Sequence, residues 1–123
     1  MRLITRADFD GIVCGVLITA RESIDRFMFV EPKSMQDGEV EVNTDDIIAN
    51  LPHHPKCYLW FDHHITNQVT RPFRGNFRIA PSAARVVFEY YPRGSLKKFE
   101  ELVDEADRID SGNLNVSDIL HPK

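Results

Sequence analysis

Three acid-rich segments and one histidine pair are the places in this chain where chemistry can be done. Asp8 and Asp10 lie two apart in Asp8-Phe9-Asp10-Gly11, just after the strand-like start Arg2-Leu3-Ile4-Thr5. Asp62-His63-His64 follows the apolar run Cys57-Tyr58-Leu59-Trp60-Phe61. Carboxylates two apart at a strand-to-helix turn aim at one crevice, where each can reach one ion of a metal pair. A helix cap needs only one carboxylate, and two repel unless a cation lies between them. A calcium loop of the EF-hand type does not fit. That loop has glycine sixth and glutamate twelfth, whereas here Gly11 is fourth and Thr19 twelfth.

Neutral imidazole ligates divalent metals, and a neighbouring carboxylate can fix its tautomer. The chain carries its own control: His53-His54 stands between Pro52 and Pro55 with no acidic neighbour and reads as surface loop. His54 and Cys57 would make half a zinc site, with no second half. The third acidic segment is Val103-Asp104-Glu105-Ala106-Asp107-Arg108-Ile109-Asp110-Ser111. On a helix, Asp104 and Asp107 share a face one turn apart, which alone describes an ordinary solvated helix.

The elements that must position these groups alternate in type. Leu3 to Thr5 reads as a strand. Asp10 opens a helix whose buried face is Ile12, Val13, Val16, Leu17 and Ala20, ended by Arg21-Glu22-Ser23. Phe27 to Val30 reads as a second, buried strand. Glu31 to Thr44 reads as loop, with Pro32 and Gly38 as breakers and Val40 to Val42 extended. Thr44-Asp45-Asp46 predicts a short helix over Asp46 to Leu51, stopped at Pro52. Cys57 to Phe61, without polar alternation, predicts a strand covered on both faces. Ile65 to Ala80 reads as loop with one extended piece near Phe77. Pro81-Ser82 starts a helix with Ala83, Val86, Val87 and Tyr90 on its apolar face, broken by Pro92 and Gly94. Ser95 caps a last helix from Leu96 to about Ile109. This pattern predicts an α/β fold, a three-layer α/β/α sandwich on a mainly parallel sheet. In such sheets ligands bind outside the carboxyl ends of the strands, where both histidine and carboxylate clusters fall.

At 123 residues the chain is one domain, 42% hydrophobic and 28% charged. A net charge of −4 gives no basic surface for duplex nucleic acid. A polyanionic substrate would need metals or a local arginine cluster, for which Arg71, Arg74, Arg78 and Arg85 are the candidates. Cys14 and Cys57 share no metal-type spacing and read as reduced core residues. Reduced cysteines, no signal-peptide pattern and no apolar run long enough for a bilayer make the expected location cytoplasmic.

Taken together these residues resemble the DHH phosphoesterase superfamily, in its exopolyphosphatase-like and oligonucleotide-phosphatase-like branches. Thr5-Arg6-Ala7-Asp8-Phe9-Asp10-Gly11 resembles the first motif and Phe61-Asp62-His63-His64 the one that names the family. Pro81-Ser82-Ala83-Ala84-Arg85-Val86 resembles a following helix, and Ala106-Asp107-Arg108-Ile109-Asp110-Ser111 a later acidic motif. The resemblance covers nearly the whole chain. It implies two metal ions, usually manganese, with magnesium as the alternative. Asp8 and Asp10 would each hold a different ion, and His63 would join that of Asp10. Asp107 would be the late ligand, with Asp104 its rival. His64 would face substrate phosphate with Arg85, and Asp62 would support the histidine pair from behind.

Three departures stand out. Arg6 occupies the place of a histidine in the first motif. Asn50 occupies the place of an aspartate that bridges both ions, so Asp45 or Asp46 would have to substitute, or the site would hold one ion. The family's C-terminal substrate-binding domain is absent, which makes residues 1–123 the expected N-terminal part of a longer protein, its tail from Asn115 to Lys123 ending abruptly. The implied function is manganese-dependent hydrolysis of phosphoester or phosphoanhydride bonds. The alternative is an impaired module of the same fold that binds phosphate or nucleotide, or mediates assembly, without hydrolysis. The implied partners are a phosphorylated small molecule, polyphosphate or a short oligonucleotide, with no membrane; an oligomer is compatible with both readings.

Overall fold

Each strand is four residues or fewer, so the sheet depends on what covers it. In the computed structural model, which describes residues 1–120, the strands are β1 (Arg2–Thr5), β2 (Arg26–Phe29), β3 (Asp46–Ala49), β4 (Leu59–Asp62) and β5 (Gly75–Phe77). They form one sheet in the order β2-β1-β3-β4-β5, and every pairing is parallel. Helices α1 (Phe9–Arg21), α2 (Pro32–Gln36), α3 (Ala83–Tyr90) and α4 (Glu100–Leu120) complete the three layers. The expectation for the tail falls on residues 121–123, outside the described residues, and on the last turns of α4.

The two-residue period of the strands divides the core. Leu3, Ile47, Ala49, Leu59 and Phe61 point to one face and pack on α1, α3 and α4 through Val13, Leu17, Val86, Val87 and Val103. Ile4, Ile48 and Trp60 point to the other, against Val30, Met35, Val40, Val42 and Leu51. That second face is covered by α2 and by the irregular segment after it.

The main correction concerns residues 46–51, expected as a helix. They form β3, the central strand, with all four residues buried. Asp46 does not cap a helix. It accepts from Nε and Nη2 of Arg2 at 3.0 and 2.6 Å and from the Asn43 amide at 2.7 Å. With that charge matched, Ile47 and Ile48 take the β-branched role of a strand buried on both faces. The segment 27–30, expected as buried, is largely β2, an exposed edge strand in which Phe27 and Phe29 are each more than half exposed. The buried face of α1 is also rotated: Cys14 and Ile18 join Val13 and Leu17, while Ile12 and Val16 are exposed beside β2. Pro32, expected to break structure, stands in the first turn of α2, where its missing N–H costs nothing.

Candidate functional site

All five strands run the same way, so their carboxyl ends share one rim. Asp62 is the last residue of β4, and the segments leaving β1, β3 and β4 carry Asp8, Asn50 and the histidine pair. Two helices start at the same rim. Asp8 caps α1, its Oδ1 accepting the Gly11 amide at 2.8 Å. Ser82 caps α3, accepting the Arg85 amide at 3.0 Å. The positive ends of two helix dipoles therefore point at the crevice, a setting that favours anions.

Asp10 ties these helices together. Buried in the first turn of α1, it reaches across to accept the amides of Ala83 and Ala84 in α3, both at 2.9 Å. The turn from β1 into α1 is tight because residue 11 has no side chain: a Cβ there would lie 1.9 Å from the Arg6 carbonyl oxygen. Burial pushes the Asp10 carboxyl up to about 6, against the opposing pull of the two amides. Burial likewise raises Asp110.

His63 stands between these carboxylates. Its Nδ1 lies 2.9 Å from the Ala80 carbonyl oxygen. A carbonyl can only accept, so Nδ1 carries the proton and Nε2 presents its lone pair. Nε2 then sits 3.5 Å from Asp10 Oδ2 and 3.5 Å from Asp110 Oδ2, buried and with no hydrogen-bond partner. Three acceptors converge with no donor among them. A divalent cation, or a proton, is what such an arrangement takes, so Asp10, His63 and Asp110 fit a metal.

His64 is held differently. Its Nδ1 meets Asp62 Oδ1 at 2.7 Å, and Asp62 Oδ2 accepts from Asn67 Nδ2 at 2.7 Å. Asp62 is fully buried, and its hydrogen bond raises the His64 imidazole above the usual histidine range. Asp62 therefore supports His64 alone. Both of its oxygens carry a hydrogen bond, and the ligand atoms of Asp62, His63 and His64 also lie close enough together to hold an ion. Beside His64 lies a cavity of about 130 Å³ lined by Arg6, Asn50, Thr66 and Asn67.

Asn50 is buried with φ +61°, a left-handed conformation that asparagine tolerates better than most residues. Its backbone amide extends the sheet to Phe61 O at 2.9 Å, and the turn sends its side chain into the crevice. Nδ2 donates to Asp8 Oδ1 at 3.1 Å, and Oδ1 is buried without a partner. Asp45 and Asp46 do not take its place, since Asp46 is bound to Arg2 at the opposite end of β3.

Two expected site residues fall elsewhere. Asp107, expected as the late ligand, gives Oδ1 to the Ser82 hydroxyl at 2.6 Å and Oδ2 to Arg85 at 2.6 and 3.0 Å. Asp104, its rival, also pairs with Arg85, at 2.8 Å. Arg85, expected to face substrate, is thus paired with both carboxylates on α4. Asp110, one turn further along α4, is the carboxylate that meets His63. The sequence carried this signal, since Asp107 and Asp110 stand three apart in one motif, but spacing does not say which turn faces the rim. Nor do the other arginines gather here. Arg71 donates to His53, Arg74 lies over Tyr58 and Arg78 pairs with Glu89. The cation at the rim is Arg6, whose Nε lies 3.7 Å from Asp8 Oδ2.

A concavity of about 510 Å³ lies along α1 and β2 and is lined mainly by Ile12, Val16, Phe27 and Phe29. It is apolar, and the chemistry lies elsewhere. Among the described residues, no helix is long and apolar enough to cross a membrane.

No family model matches this chain, and no curated protein matches it either. Among solved structures it is similar to PggH, a pGpG-specific phosphodiesterase from Vibrio cholerae, at 41% sequence identity and a TM-score of 0.74. The match covers 99% of this chain and 40% of PggH, so the chain spans about two-fifths of that protein's length. Nearly everything described above is thus similar to one portion of a phosphodiesterase.

Proposed function

We propose that this chain is the metal-binding portion of a DHH-type phosphodiesterase acting on a short phosphorylated oligonucleotide, with pGpG as the first substrate to test. The observation that carries this reading is the bare lone pair of His63 Nε2 between Asp10 and Asp110. The likeness to PggH adds the substrate class. A bound divalent cation would supply Lewis acidity and a nucleophile at neutral pH.

The chain's own residues do the rest. Asp10, His63 and Asp110 hold the cation. The α1 and α3 N-termini and Arg6 offset the phosphate charge. His64, whose hold on a proton is strengthened by Asp62, places that proton for the leaving oxygen. Arg85 and Asp107 fix α4 against α3 and so set Asp110 in place.

The test is hydrolysis of pGpG with manganese by the native chain and by His63→Ala, Asp110→Ala and Asp107→Asn. Loss of about 100-fold or more is expected for the first two. Asp107→Asn should lose much less, because it supports from outside the triad. Equal rates in Asp110→Ala and the native chain would reject the site. The neutral amide of Asn50 beside Asp8 favours a second reading, a module that binds without hydrolysis. Binding of pGpG with no product formed would support that alternative.

A further inference from the structure

The same rim treats its two halves unequally. Around His63, three acceptors converge, and the donors there are only the neutral backbone amides of Ala83 and Ala84 on Asp10. Around Asp8 the donors are already present: Oδ1 receives the Gly11 amide at 2.8 Å and Asn50 Nδ2 at 3.1 Å, and Oδ2 faces the Arg6 guanidinium at 3.7 Å. A second cation at Asp8 would be left with Oδ2, where it would lie beside the permanent positive charge of Arg6 and near the NH2 group of Asn50. Arginine stays protonated at any ordinary pH and offers no lone pair. Asn50 cannot rotate its oxygen toward Asp8 without losing that bond and setting acceptor against acceptor. The residues on this side do not fit a metal ion.

We infer that the site is mononuclear: one divalent cation binds Asp10, His63 and Asp110, while Arg6, held on Asp8 with Asn50 between the two halves, stands in for a second ion and meets the substrate phosphate. This rests on the metal-dependent reading above. Arg6 is suited to the task because its side chain is 40% exposed and lines the 130 Å³ cavity that His64 also lines. Its planar fork can take two phosphate oxygens at once. Asn50 Oδ1, buried and unpartnered, is left as a neutral acceptor for the one cation or for a water on it. A fixed guanidinium supplies charge that does not depend on metal supply, but it cannot activate a water.

The decisive measurement is the number of manganese ions bound per metal-free chain, read from the electron paramagnetic resonance of free and bound Mn(II). One ion, with no exchange coupling and lost in Asp110→Ala while circular dichroism is unchanged, is the expected result. Two coupled ions in the native chain would overturn the mononuclear inference and leave the metal-dependent reading standing; no bound ion would overturn both. The double variant Arg6→His, Asn50→Asp is expected to bind a second, coupled ion. If it still binds one, Arg6 and Asn50 are not what excludes the second. Arg6→Gln should retain its manganese and weaken binding of inorganic phosphate to the loaded chain by about tenfold, as loss of a charge-assisted bond implies. Unchanged phosphate affinity would remove Arg6 from the substrate.

Discussion

His64 shows how one buried neighbour sets a residue's chemistry. Asp62 has no exposure and both oxygens engaged, and its hydrogen bond to His64 favours the charged form of the imidazole. The sign follows from the raised value: this pair stabilises the fold fully below the ordinary histidine range, and the contribution is lost as pH rises through the higher folded value. In Asp62→Asn, the His64 titration followed by NMR should move down toward an ordinary histidine. The variant should also lose on the order of 1–3 kcal/mol, because a neutral amide replaces the carboxylate in the bond to His64. A His64 titration that does not move would show that Asp62 does not govern it. At this scale the sequence was readable where the elements already fix the neighbours, as with the meeting of His63 and Asp10 at the strand ends. It was not readable for Asp107 and Asp110, because three residues along a helix change the facing direction and only packing against α3 fixes the rotation.

Among the elements, β3 is the most instructive. Thr44-Asp45-Asp46 carries a helix-start signal, yet the residues pair with β1 and β4. Local propensity is worth tenths of a kcal/mol per residue, whereas burying Ile47 and Ile48 is worth roughly 1.5–3 kcal/mol for each side chain. The unreadable part was Arg2, forty-four residues away, which matches the Asp46 charge. The end of β1 at Thr5 and the α3 cap were legible because Ser82 and the first apolar run act locally. The joint between β1 and α1 depends on Gly11. A methyl group there meets the Arg6 carbonyl, so Gly11→Ala should destabilise the chain by about 2–3 kcal/mol and disturb Arg6 and Asp8 together. Urea denaturation checks this, and native stability in that variant would contradict the close approach.

For the molecule as a whole, the buried carboxylates make stability depend on both metal and pH. Asp10 has its folded value raised to about 6 by burial. Without metal, its protonation therefore favours the fold at low pH, and that contribution is lost as pH rises through 6. A cation bound as proposed would take over the proton's place, and below pH 6 the two would compete. Saturating manganese should raise the melting midpoint by on the order of 10 °C at pH 7.5, and by much less at pH 5. Equal shifts at both pH values would separate the metal from Asp10.

Asp10 and Asp110 flank the same imidazole but have unequal duties. Asp10 also fastens α1 to α3 through two amides, whereas Asp110 makes no hydrogen bond among the described residues. The two positions therefore differ as witnesses. A related sequence that had given up metal would still need an acceptor at position 10 to hold its helices together, and would be free to change position 110. An aspartate at 10 testifies to architecture; an aspartate at 110 testifies to chemistry.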